Sequence, residues 1–214
     1  MTELIEKHRR FLPHYQEAGQ VISLTWRLEG ELPLAIEALV QDMKSLMIEI
    51  KSKSNKQCSH DLFTQYERLV QRYDDQLGKH KSPGLNLIVP EQAIIITTAF
   101  HFYNKQLYIL HAYCIMPNHV HLLLEPLRQQ DGRYTPISDI VRRLKGYTAK
   151  QITLKAPDTQ NVWRADYFDR FIRSDRDYIN TVLYILNNPV KASLISDSRS
   201  WPLSYYKGWL EDGE

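Results

Sequence analysis

Polar and apolar residues alternate through residues 19–28, with Ile22, Leu24 and Trp26 against Val21, Ser23 and Thr25, which predicts a strand closed by the turn signal at 30–33. From 33 to about 56 the period lengthens. Leu34, Ile36, Ala38, Leu39, Met43, Leu46, Met47 and Ile50 recur at helical spacing and residues 62–77 continue likewise, so two surface helices are expected. Ser82, Pro83 and Gly84 break that pattern, and Pro90 with Glu91 starts an apolar helix that runs to Phe102 and should pack on a sheet. Residues 107–116 and 119–125 read as two strands joined by Pro117-Asn118 in a tight or slightly bulged hairpin. After a polar loop, Ile137, Ile140, Val141, Leu144, Tyr147 and Thr148 share one helical face; 162–172 looks extended, and 175–187 looks helical until Asn188-Pro189 stops it.

This order is strand, helical insertion, helix, strand, strand, helix, strand, helix. It predicts an α+β protein: a ferredoxin-like β-α-β-β-α-β antiparallel sheet with a helical insertion after strand 1 (about 33–80) and an extra C-terminal helix, all within one domain over 1–214. Internal repeats and low-complexity tracts are absent from the sequence.

Composition narrows the class only a little. Apolar residues at 43% and charged residues at 24% are ordinary for a globular chain. The formal charge of +2, from 27 basic and 25 acidic residues, makes no global case for a nucleic-acid partner, so that case must come from local patches. Cys58 and Cys114 are the only cysteines and lack CxxC spacing, which fits a reducing cytoplasm better than a disulfide framework. The first ten residues are charged, and no stretch approaches the run of roughly 18 apolar residues that spans a membrane, so neither export nor a membrane partner is expected.

His119-Val120-His121 opens the second hairpin strand, where alternation sends both imidazoles to one face and Val120 to the other. Two neutral imidazoles side by side are half a metal site, although one such pair among 8 histidines is as readily a hydrogen-bonded core pair. Leu122, Leu123 and Leu124 bury the strand, so the pair must be either bonded or ligated. On the following helix Tyr147 and Gln151 lie one turn apart on one face. A tyrosine can attack a phosphodiester when a cation neutralises the phosphate, and Gln151 would offer a carbonyl oxygen as a third ligand. The alternative is a core-edge aromatic, one of 13 tyrosines. Arg142, Arg143, Lys145, Lys150 and Lys155 give this helix and its exit a basic density suited to a phosphate backbone, or simply a solvated face.

The run from Tyr113 through Met116-Pro117-Asn118-His119-Val120-His121 to Leu124 resembles the histidine-hydrophobic-histidine strand of the HUH single-tyrosine transposases, in particular the REP-associated tyrosine transposases and insertion-sequence relatives. Residues 144–151 resemble their tyrosine helix. Residues 163–172, followed by Tyr184-Ile185-Leu186-Asn187-Asn188-Pro189-Val190-Lys191-Ala192, resemble their C-terminal signature, and Leu12-Pro13-His14-Tyr15 and Trp26-Arg27-Leu28 extend the likeness over nearly the whole chain. The resemblance implies Mg²⁺ or Mn²⁺ on His119 and His121, Gln151 as third ligand and Tyr147 as nucleophile. It also implies cleavage of single-stranded DNA at or near a hairpin, leaving a 5′-phosphotyrosine and a reversible 3′-OH. Two other readings remain open, a catalytically silent hairpin-binding protein on the same scaffold and a metal hydrolase of small phosphodiesters. The helical section at 33–80 exceeds a minimal core, and a hairpin platform, a homodimer surface and a lineage decoration are all open for it.

Overall fold

The computed structural model describes residues 4–9, 13–17, 19–52, 56–80, 84–159 and 161–210. A hairpin of β1 (Leu4–Arg9) and β2 (Pro13–Glu17), not anticipated from a sequence stretch without strict alternation, stands as a separate two-stranded sheet. Then come β3 (Ile22–Arg27), α1 (Leu34–Ser52), α2 (Lys56–Lys79), α3 (Pro90–Tyr103), β4 (Tyr108–Ile115) and β5 (His119–Pro126). The chain continues through α4 (Ile137–Lys155), β6 (Phe168–Phe171), α5 (Asp175–Leu186), the short α6 (Asn188–Lys191) and β7 (Ser204–Tyr206).

The main sheet is antiparallel throughout, in the order β6-β3-β5-β4-β7. Without its edge strand β7 the sheet runs fourth, first, third, second strand of a β-α-β-β-α-β chain, so that β5 lies between β3 and β4 and β3 between β5 and β6. The register slips once, between Leu110 and Ala112 of the β4–β5 hairpin, the bulge that the sequence allowed. β7 has only three residues and was not expected: the free edge of β4, rather than a pattern of its own, recruits it. The expected long strand at 162–172 shortens to β6 plus a bridge between Leu28 and Trp163. Between them the carbonyls of Arg164, Ala165 and Asp166 converge on Lys145 Nζ, which bends the chain around the ammonium group.

Strand alternation divides the molecule into two layers. Ile22, Leu24 and Trp26 of β3 and Val120, Leu122 and Leu124 of β5 join Ile96 and Phe100 of α3 and Ile140, Val141, Leu144 and Ile152 of α4 in one core. Trp26 is wedged there, edge to face with Phe100 at 5.9 Å and with Trp163 at 6.2 Å. The opposite face sets Ala112, Cys114 and Leu123 against Val182, Ile185 and Leu186 of α5. Helix α5 starts on Ser174, whose Oγ accepts from Asp177 N at 3.2 Å, with Asp175 and Asp177 facing the positive end of the helix dipole.

Helices α1 and α2 are more than surface decoration. Their apolar stripes meet in a core of their own, including Met43, Tyr73 and Leu77, each at most 2% exposed. Helix α2 also packs against the α5–α6 side of the sheet, and Asn118 in the β4–β5 turn donates Nδ2 to the carbonyls of Leu77 (3.0 Å) and His80 (2.8 Å). That bond satisfies carbonyls at the helix C-terminus and fixes the end of α2 beside β5. Among the described residues no helix is long and apolar enough to cross a membrane.

Candidate active site on the histidine face of the sheet

His119 and His121 project from β5 away from α4, into the layer covered by α2 and α5, and both are essentially inaccessible to solvent. Their rings meet at 85° with Nε2 atoms 3.0 Å apart. Each Nδ1 has its own partner. Asn118 Oδ1 lies 2.6 Å from Nδ1 of His119, and because the Asn118 amide hydrogens are held by the α2 carbonyls, the oxygen accepts and His119 carries its proton on Nδ1. Nε2 of His119 is therefore a lone pair. Thr25, directly across the strand pair from His121, places Oγ1 3.0 Å from its Nδ1 and can either donate or accept.

Burial holds both imidazoles neutral. His121 is pushed down to about 3, by burial first and then by the charge of Lys191, and His119 falls well below its ordinary value through burial and its neighbour. A neutral pair with Nδ1 of His119 protonated has two arrangements. Either His121 Nε2–H donates to His119, or Thr25 accepts from His121 Nδ1 and two lone pairs face each other, which only a shared cation stabilises. Two nitrogens 3.0 Å apart suit neighbouring ligands at bonds of about 2 Å, so the pair fits a divalent ion. Among the described residues no cluster of three or more His, Cys, Asp or Glu side chains surrounds the site.

The aromatic side chain beside the pair is Tyr184 of α5, whose ring stands at 88° to that of His121 with centroids 6.0 Å apart. Its hydroxyl donates to Asp74 Oδ2 of α2 at 3.1 Å. Lys191 Nζ lies 4.2 Å above the Tyr184 ring and 3.4 Å from Asp75, and so ties α6 to α2 over the tyrosine. Tyr184, Asp74 and Thr25 share an open cleft of about 340 Å³ with Tyr66, Arg170 and Asp177. Arg170 closes one side, paired with Asp177 at 2.8 and 3.0 Å and also bonded to Thr181. Burial first, then the Asp74 charge, raises the Tyr184 phenol above its ordinary value. Asp74 is pushed up to about 7, mainly by burial, with Asp75 adding to the rise and the Tyr184 hydrogen bond and Lys191 opposing it.

Tyr147 and Gln151 are not brought to this site. Helix α4 packs on the face carrying Val120, Leu122 and Leu124, so the sheet lies between it and the imidazoles, and Tyr147 is 42% exposed on the far side. The expected grouping of Tyr147 and Gln151 with the histidines is thus corrected. The tyrosine on the histidine face is Tyr184, which is equally spaced from an amide, Asn188, one turn on. The basic cluster shares that displacement: Arg142 pairs with Asp139 at 2.8 Å, Lys145 is engaged by backbone carbonyls at 3.0 and 3.2 Å, and Arg143, Lys150 and Lys155 are exposed on α4 itself. On the histidine face the cations include Arg27, paired across the strands with His119, together with Lys191, Arg170 and Arg173. Asp74, Thr25 and the tautomer-fixing bond of Asn118 gave no sequence signal of their own, apart from the place of Asn118 in the turn.

Residues 94–188, from α3 to the start of α6, match the family described as transposase, IS200-like. This segment is similar to the IS200-like transposases. It holds the histidine strand, α4 and α5, and so both Tyr147 and Tyr184. A REP-associated tyrosine transposase of Escherichia coli strain K12 is 30% identical over 97 residues, covering 45% of this chain and 53% of that protein. A Haemophilus influenzae protein described as a candidate member of the same group is 27% identical over 100 residues, 44% of this chain and 57% of the relative. The chain thus spans about half the length of the curated relatives it matches. A solved REP-associated tyrosine transposase bound to a REP hairpin is 18% identical, with a TM-score of 0.48 over 98% of this chain and 87% of that one.

Proposed function

We propose that this protein cuts and rejoins single-stranded DNA at or near a hairpin or palindromic repeat, through a 5′-phosphotyrosine on Tyr184, with His119 and His121 holding Mg²⁺ or Mn²⁺. The observation that carries this reading is the edge-to-face approach of Tyr184 to His121, 6.0 Å between ring centroids, in the layer where the imidazoles face each other. The match of residues 94–188 to the IS200-like transposases supports it.

Tyr184 Oη attacks the phosphorus, the P–O3′ bond breaks, and the new phosphotyrosine conserves the bond energy so that a 3′-OH can reverse the step without an external energy source. When bound, the divalent ion would supply neutralisation of charge on the non-bridging phosphate oxygens. Lys191, over the Tyr184 ring, adds a second cation beside the reacting phosphate. Asn118 and Thr25 hold the imidazoles in register for the ion.

The test is formation of an SDS-stable protein–DNA adduct on labelled hairpin oligonucleotides with Mn²⁺. The unaltered protein should form it, Tyr184→Phe should bind without forming it, and Tyr147→Phe should behave as the unaltered protein. An adduct that persists in Tyr184→Phe would overturn the assignment. Tight binding with no adduct over a library of hairpins would mark a binding protein instead.

A further inference from the structure

We infer that Asp74, contributed by the helical insertion, is the base that takes the phenolic proton of Tyr184 during strand cleavage and returns it during rejoining. The inference rests on the reading of Tyr184 as nucleophile and adds a catalytic residue from a part of the chain outside the matched segment 94–188.

Asp74 is 2% exposed, and one of its oxygens, Oδ2, accepts from Tyr184 at 3.1 Å. The other, Oδ1, is buried with no hydrogen-bond partner among the described residues. A structural carboxylate is normally saturated with donors, because each unmet acceptor costs roughly 1–3 kcal/mol. Asp74 instead has one donor, and that donor is the atom that would attack. The carboxyl also opens on the cleft that Tyr184 shares. The phenol next to it already directs its proton at Oδ2 and needs an acceptor as its oxygen moves towards phosphorus. The carboxyl, itself raised to about 7, has a basicity matched to that transfer near neutral pH.

The charged and titratable groups around it are Asp75 on its own helix, Tyr66 on the same helix, Lys191 from α6, and Asp169, Arg170 and Asp177 from β6 and α5 across the cleft. The step balances. The Oη–P bond forms as the P–O3′ bond breaks, the phenolic proton passes to Asp74 Oδ2, and the departing 3′ oxygen takes a proton from solvent water. Rejoining runs the same transfers backwards.

The experiment measures single-turnover adduct formation between pH 5.5 and 9, on a hairpin oligonucleotide selected by adduct formation with the unaltered protein, alongside binding by fluorescence anisotropy. Asp74→Asn keeps the shape and an oxygen for the Tyr184 hydrogen bond but cannot take the proton. It should slow adduct formation by roughly 10²–10⁴-fold with binding changed less than about twofold. The plateau reached above neutrality in the unaltered protein should become a rate that climbs with hydroxide. Fluorotyrosine at 184, a more acidic phenol, should recover at least part of the Asp74→Asn loss. In the Asp74 background it should leave the pH midpoint in place, a readout available even if Asp74→Asn does not fold.

A midpoint that follows the acidity of the phenol, or an Asp74→Asn rate and profile equal to those of the unaltered protein, overturns the inference. If Tyr184→Phe abolishes the adduct while Asp74→Asn does not alter it, this inference alone falls. If Tyr184→Phe still forms the adduct, the parent reading falls with it.

Discussion

The side-chain oxygen of Asn118 sits 2.6 Å from Nδ1 of His119, while the amide nitrogen of the same residue grips the last carbonyls of α2. One residue therefore sets a ring tautomer and docks the inserted helix. Asn118→Ala should lower stability by about 2–3 kcal/mol, since it leaves buried groups on both sides without partners. It should also weaken Mn²⁺ binding roughly 10–100-fold, as loss of an outer partner to a ligating imidazole does. Thermal melts and calorimetric titration with Mn²⁺ check the two parts. Unchanged ion affinity would show that His119 needs no help from Asn118.

Thr25 is the matching support on the other strand. Thr25→Val preserves shape but removes the hydroxyl from Nδ1 of His121. Mn²⁺ affinity should fall, and the melting temperature should drop by an amount corresponding to roughly 1–3 kcal/mol. Thr25→Ser should restore both. Failure of Ser to rescue would place the effect in packing rather than in the hydroxyl.

Lys191 and the α4 cations make opposite predictions. Lys191→Met keeps apolar contact with the Tyr184 ring but removes the charge, so the slope of log affinity against log salt should shrink by about one and adduct formation should slow. Lys150→Met, on the far side of the sheet, should leave the adduct rate within about twofold. If the order of the two variants were reversed, the DNA would lie on the α4 face.

Asp74 also carries a stability signature with a definite sign. Its folded value of about 7 lies above the ordinary 3.8, so the folded state binds the proton more tightly than the unfolded chain. The stabilisation is complete below about pH 4 and is lost as pH rises through about 7. Asp74→Asn removes that dependence. At pH 8 it should be more stable than the unaltered protein by up to a few kcal/mol, because each tenfold gain in proton affinity on folding is worth about 1.4 kcal/mol. Melts at pH 5 and pH 8 decide it; a variant less stable at both would mean that the ionised carboxylate is held by groups beyond Tyr184 and Lys191.

The sheet and its helices were legible because alternation in β3, β4 and β5 and the helical spacing of α1 to α5 are strong local signals. The shared face of His119 and His121 was equally legible, as strand geometry alone gives it. Which helix covers that face was not. Tyr147 with Gln151 and Tyr184 with Asn188 have the same spacing, so nothing local separates them. A clue did exist in β3 and β5 taken together: Leu24, Trp26, Val120 and Leu122 make one face wholly apolar, suited to the two crossover helices, whereas Thr25, Arg27, His119 and His121 make the other polar. The helix beyond the β-α-β-β-α-β unit is the one left to cover the polar face. Asp74 could not be read at all, because a carboxylate on an amphipathic helix looks solvated until a second layer closes over it.

β5 is the middle strand of five, bonded along both edges, whereas Tyr184 and Asp74 ride on helices packed against its outer face. Amide hydrogen exchange should accordingly find the imidazole-bearing strand among the last backbone to open, and α5 and α2 among segments that open at lower free energy. In the proposed reaction, the half of the site that would hold the ion is built into the central strand, and the half that would make and break the covalent bond sits on the packed helices. Under mild denaturant the protein should lose its capacity to trap DNA before its affinity for the ion.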